Sequence, residues 1–252
     1  MPATFTPAPV EVEKKHTGTG GRPPVDRRPT GGGGDGDNWQ NREPGKRGPR
    51  EVLHRYRLGL FFGLAGDLMF FVALVSAFFV RQTAGHFDAR EQWINDWRPV
   101  LIPPILWLNT LVLLLSSLTI EAARRRLFHE PDVLEEWLGL GRPAARRAMP
   151  WVIATLALGS AFLVGQVMAW QQLSQQGAYF GSNPSSHFFY LLTITHAAHL
   201  LVGILALLAA AVGLVVTRKV EVRQILLDTS AWYWHAMGAL WIFLFILLVF
   251  FQ

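Results

Sequence analysis

The chain has 252 residues, 51% of them hydrophobic and 16% charged, with a formal net charge of +5 and no cysteine. The missing cysteines exclude disulfides, thiolate-held metals, a Cys-bridged dinuclear copper centre and haem attachment through Cys-x-x-Cys-His, leaving only His, Met or carboxylates to hold a cofactor. The mean hydropathy is +0.25, and the apolar residues gather into runs near the roughly 20 that cross a bilayer as a helix, which marks a polytopic membrane protein.

Residues 1–50 hold 8 Pro and 10 Gly, including the run Gly31 to Gly34, with scattered basic residues and few aliphatic ones. Such a segment buries too little apolar surface to offset its chain entropy, so a disordered tail is expected. No apolar core follows its basic residues, as a signal peptide would require. Five spans are expected next, at Leu58–Val80, Leu101–Ala122, Trp151–Gln172, His187–Val216 and Ala231–Phe251, within a membrane domain at 54–252.

The 23 Lys and Arg residues fall as 11 before the first span, 3 between the first and second, 6 before the third, none before the fourth and 3 before the fifth. Alternate loops therefore carry 20 against 3, which by the positive-inside rule predicts a cytoplasmic N-terminus and a C-terminus on the outer side. The basic charge expresses topology, and no nucleic-acid partner is expected.

Local signals set the expected boundaries. Pro150 suits the first turn of the third span, and Asp228, Thr229 and Ser230 offer N-cap oxygens to the fifth. Trp232, Tyr233 and Trp234 then fall at the inner interface, where amphipathic rings are enriched. Asp132 to Leu140 reads as a short interfacial helix, and Ser174 to Ser186 as a turn-rich loop.

Within FFGLAGDLMFFVAL, from Phe61 to Leu74, Asp67 is the one charged residue. A charge at mid-bilayer costs about 2.5–3.5 kcal/mol on insertion scales, so Asp67 needs a partner on another helix. At about 1.5 Å per residue, Asp67 lies roughly 14 Å from the inner end of its span, and His196 and His199 lie roughly 14 and 18 Å from the outer end of theirs. All three share a depth, and the two histidines share a helical face. They read either as a protonatable or metal-binding group or as hydrogen-bonded structural residues, with the second favoured for metal. Gly59 and Gly63, with Gly66 nearby, form a small-xxx-small notch for a neighbouring helix. Asn109, Thr110, Ser116, Ser117, Thr119 and Gln166 read as interhelical hydrogen-bonders, and Glu121 and Arg124 to Arg126 as inner-edge residues.

Five segments, in order, resemble the five-helix core of haem-copper oxidase subunit III. They are RLGLFFGLAGDLMFF at Arg57 to Phe71, LNTLVLLLSSLT at Leu108 to Thr119, LGSAFLVGQVMAW at Leu158 to Trp170, HFFYLLTITHAAHLLVG at His187 to Gly203, and YWHAMGALWIFLF at Tyr233 to Phe245. The resemblance implies an all-α, five-span bacterial-type subunit without catalytic residues, metal or redox cofactor of its own. It further implies direct contact with oxidase subunit I, with subunit II in the same complex, and haem and copper held by those partners. Structural phospholipids would occupy a V-shaped cleft. The family's roles would be stabilisation of the catalytic subunit, oxygen access and proton uptake in aerobic respiration at the bacterial plasma membrane.

On that resemblance Asp67 stands where the family has a glutamate, and His196 and His199 match its paired histidines. Arg57, Gly59, Gly63, Asn109, Trp170, Trp234, His235 and Trp241 become candidates for lipid or subunit contact. Gly238 and Ala169 stand where the family often has acids. An accessory subunit of a quinol oxidase or nitric oxide reductase is the alternative. An independent transporter is a third reading, for which no internal repeat speaks.

Overall fold

Why the chain makes long helices follows from its composition: aliphatic runs interrupted by single small or polar residues satisfy every backbone group internally, as a hydrocarbon solvent demands. The structure, a computed structural model, describes residues 49–87, 93–95, 97–129, 144–217 and 219–251. The expected tail and the helix expected at Asp132 to Leu140 lie outside the described residues, apart from the last two positions of the tail.

Five long helices run α1 (Pro49–Thr83), α2 (Ile105–Leu127), α3 (Ala144–Gln175), α4 (Pro184–Val216) and α5 (Val220–Phe250). All five are long and apolar enough to span a membrane. Two short strands, β1 (His86–Phe87) and β2 (Trp93–Ile94), pair antiparallel between α1 and α2 and leave the all-α class unchanged.

The helices overrun the expected spans, because hydropathy marks only the apolar window of a helix. α1 has 35 residues and so is about 52 Å long, against a hydrocarbon core near 30 Å. Several expected boundaries are corrected. α5 starts at Val220 after Lys219, so Asp228, Thr229 and Ser230 lie more than two turns inside it and cap nothing. Thr229 bonds back to the Ile225 carbonyl (2.7 Å), and Ser230 reaches the Ala206 carbonyl of α4 (3.2 Å). Pro150 lies inside α3, whose start at Ala144 leaves one backbone donor missing there. α2 starts at Ile105 rather than Leu101, because Pro103 and Pro104 precede it. α4 starts at Pro184, with Asn183 as N-cap accepting from the Ser186 amide (2.9 Å) and proline at N1.

α1, α3 and α5 begin at one end of the bundle, here the basic end; the α1–α2 and α3–α4 connections lie at the other. α2 packs chiefly on α3, and α4 on α5, with α3–α4 and α2–α5 contacts closing the bundle. α1 lies against α4 and α5 only lightly: 11% of its apolar window is buried, against 50% for α5. The core is built around two indoles of α5. Trp234 donates to Ser116 Oγ (2.9 Å) and Trp241 to Thr110 Oγ1 (3.0 Å), so both fully buried rings satisfy their N–H on α2. Room for Trp234 comes from glycine: a Cβ at Gly159 would stand 2.5 Å from the ring, and one at Gly203 3.2 Å. Thr119 to Thr155 (2.8 Å) and Trp170 to Thr193 (3.1 Å) tie α2 to α3 and α3 to α4. The outer surface is studded with exposed apolar side chains such as Phe61, Phe62, Leu118 and Val215, as lipid contact requires.

Candidate functional site

Two polar centres join α1 to the bundle. The first lies midway along α1. His199 on α4 places Nε2 2.7 Å from Asp67 Oδ1, and its Nδ1 lies 2.7 Å from the Thr195 carbonyl. A carbonyl only accepts, so Nδ1 carries the proton of that bond. Nε2 stands in close polar contact with the Asp67 carboxyl group. Phe71 packs edge-on against the imidazole at 5.4 Å, and Tyr233 Oη donates to the His199 carbonyl (3.0 Å). Side-chain exposures of 15% for Asp67 and 29% for His199 put the pair at the edge of the bundle rather than in its core.

His196 does not join them. It is fully buried one turn away, between Trp241 (5.1 Å) and Phe162 (6.3 Å), and neither ring nitrogen has a partner in the chain. Gln166 on α3 is also buried, with both amide atoms unpaired. Among the described residues no three His, Asp or Glu side chains converge as a metal site.

The second centre lies at the basic end. Asp228 is completely buried, and Arg57 grips it with two parallel bonds, Nε to Oδ2 (2.7 Å) and Nη2 to Oδ1 (2.9 Å). Arg124 adds a longer contact to Oδ1 (3.4 Å) while holding Glu121 through Nε (2.8 Å) and Nη2 (3.1 Å). Arg125 also reaches Glu121 (2.9 Å), and His235 Nε2 stands 3.8 Å from it, beyond hydrogen-bond range. Three arginines and two carboxylates thus connect α1, α2 and α5. The sequence reading left Asp228 as a cap and Glu121 as an edge residue. The signal available was the rarity of acids at helix ends so rich in Arg and Lys, where an acid is a ready counter-ion.

The remaining candidates divide by burial. Asn109, Trp234 and Trp241 are enclosed by this chain; Asn109 donates to the Phe162 carbonyl (3.3 Å) and fills the space over Gly165. The interfacial place expected for Trp234 is thus taken by packing in the core. Trp170 and His235 are half-buried, and His235 borders a small cavity of about 170 Å³ with Ser117 and Gly238. Gly59, Gly63 and Gly66 have nothing within 4 Å of an added Cβ, so no helix of this chain enters the expected notch.

A family model described as cytochrome c oxidase subunit III matches residues 45–252. The chain belongs to that family. Cytochrome c oxidase subunit 3 of Corynebacterium diphtheriae is 29% identical over 199 residues, covering 77% of this chain and 87% of that protein. Probable cytochrome c oxidase subunit 3 of Mycobacterium tuberculosis is 28% identical over 204 residues, covering 77% and 86%. Against the longer Arabidopsis thaliana subunit 3 the identity is 26% over 193 residues, and the chain spans 66% of that protein's length. Both polar centres fall inside the segment that the subunit III family model matches.

Proposed function

We propose that this chain is the non-redox subunit III of an aerobic respiratory terminal oxidase in a bacterial plasma membrane. It lies directly against subunit I, with subunit II in the same complex, and those partners hold the haem and copper. Cytochrome c is the electron donor of the complex. The N-terminus is cytoplasmic, as the distribution of 20 basic residues against 3 supports. The chain stabilises the catalytic subunit and supports oxygen access and proton uptake, with structural phospholipids along its cleft.

The observation that carries this reading is the family match over 45–252. The site agrees with it: Asn109, Trp234 and Trp241 bond across to neighbouring helices, and Asp67 and His199 meet at the bundle edge. A pair placed there suits contact with a neighbouring surface better than substrate chemistry.

Removal of the chain from the purified complex tests the role. The depleted complex keeps its haem and its initial turnover, loses activity earlier during sustained turnover, and takes up protons more slowly. Immediate loss of all activity with haem intact contradicts the supporting role. Copper in the co-purifying subunit II marks the cytochrome c route; its lack, with quinol oxidation, contradicts that donor.

A further inference from the structure

The end of the bundle opposite the basic one is poor in cations, with 3 of the 23 Lys and Arg residues between the first two spans and none between the third and fourth. Two of those three, Arg81 and Arg98, line one open cavity of about 950 Å³ together with His187, Asn95, Ser182 and Phe180. They come from separate places: Arg81 from the last turn of α1, and Arg98 from the segment leading into α2.

That segment is fixed. Ser185 Oγ, in the first turn of α4, donates to the Arg98 carbonyl, while Asn95 donates to the Gln82 carbonyl (3.0 Å) and accepts from the Trp97 amide (2.9 Å). The His187 ring lies 4.3 Å from that of Phe180. At the basic end Arg57, Arg124 and Arg125 are spent on carboxylates. Among the described residues neither Arg81 nor Arg98 has such a partner, and both are exposed. Asp88, Glu91 and Asp96 of the same loop lie outside the described residues.

We infer that this cavity is a binding site for a phosphate-bearing anion, supplied by the headgroup of an anionic phospholipid in the outer leaflet. The chemistry is that of two guanidiniums and an imidazole converging on one concave surface, a fork geometry that matches phosphate oxygens. The source follows from depth. The cavity lies where α1 ends and α4 begins, and exposed Trp93, Tyr179 and Phe180 surround that level, as interfacial rings do. Two exposed arginines hold a free anion weakly in physiological salt, whereas an acyl-anchored phosphate is already concentrated at that depth. The inference needs the membrane spans and the orientation proposed above, which sets the leaflet, and not the oxidase reading.

The test uses the full chain in phosphatidylcholine nanodiscs doped with phosphatidylglycerol, with retained lipid read by native mass spectrometry. Arg81→Gln with Arg98→Gln lowers phosphatidylglycerol retention roughly 10- to 30-fold, two interfacial cations' worth. Arg81→Lys with Arg98→Lys restores part of it, supplying the charge without the fork. Unchanged retention in the Gln variant, with lower thermal stability, assigns the arginines to pairing within the chain and overturns the site. Displacement of the lipid by millimolar inorganic phosphate assigns a free-anion site and overturns the lipid source. Should the Gln variant fail to fold, photoactivatable phosphatidylglycerol on the unaltered chain decides: adducts are expected at residues 177–188, and adducts elsewhere alone contradict the site.

Discussion

Two of the polar contacts that tie α1 to the bundle differ in kind. At its basic end a two-bond guanidinium fork grips a carboxylate with no exposure at all; midway along it a single short contact joins the acid Asp67 to the imidazole of His199. Depth explains the difference. Near the interface, Arg57 keeps 42% of its side chain exposed and can reach water or headgroups, so an ion pair is affordable there. Toward the middle of the membrane the cost of charge is highest, and an acid there needs a partner on another helix.

Substitutions can break this contrast. Asp228→Leu has the largest effect, about 3 kcal/mol of lost stability, because Arg57 and Arg124 lose their buried counter-ion; exposure of Arg57 keeps the loss at the low end for such pairs. Thermal unfolding of the solubilised protein reads this, and an unchanged midpoint denies the cluster a tying role. Asp67→Leu strands His199 Nε2 and costs about 1–2 kcal/mol in the same assay. A loss equal to that of Asp228→Leu would show that the two contacts tie α1 equally. Arg57→Lys keeps the charge and loses the two-bond fork, for about 1 kcal/mol. Asp67→Asn is mildest, under about 0.5 kcal/mol, because the amide keeps a polar group against Nε2. Its effect falls on the lifetime of activity or on proton uptake; a complex dead from its first turnover would show that Asp67 does more.

The five spans were legible because a long apolar run has few other uses in a chain of this composition. Their ends were not. Asp228, Thr229 and Ser230 look like a cap by local preference alone, yet the counter-ions that let α5 continue through them come from Arg57 and Arg124, 171 and 104 residues away. Trp234 presents the same difficulty in apolar form. Hydropathy reads an indole as fit for a membrane and does not say whether it faces lipid or, as here, the space over Gly159 and Gly203. Depth was readable from the rise per residue, which placed Asp67 level with both histidines. Which histidine it meets depends on helix rotation, and the structure brings it to His199 while turning His196 toward Trp241.

The central claim, that this chain is a non-redox member of a haem-copper oxidase complex, is tested most directly by gentle solubilisation and affinity purification of the tagged full-length chain. The account predicts a stable complex in which haem and copper co-purify in fixed ratio to the chain but stay with the partner subunits when it is dissociated. A chain recovered without any haem-bearing partner, or one that keeps haem itself after dissociation, would contradict it.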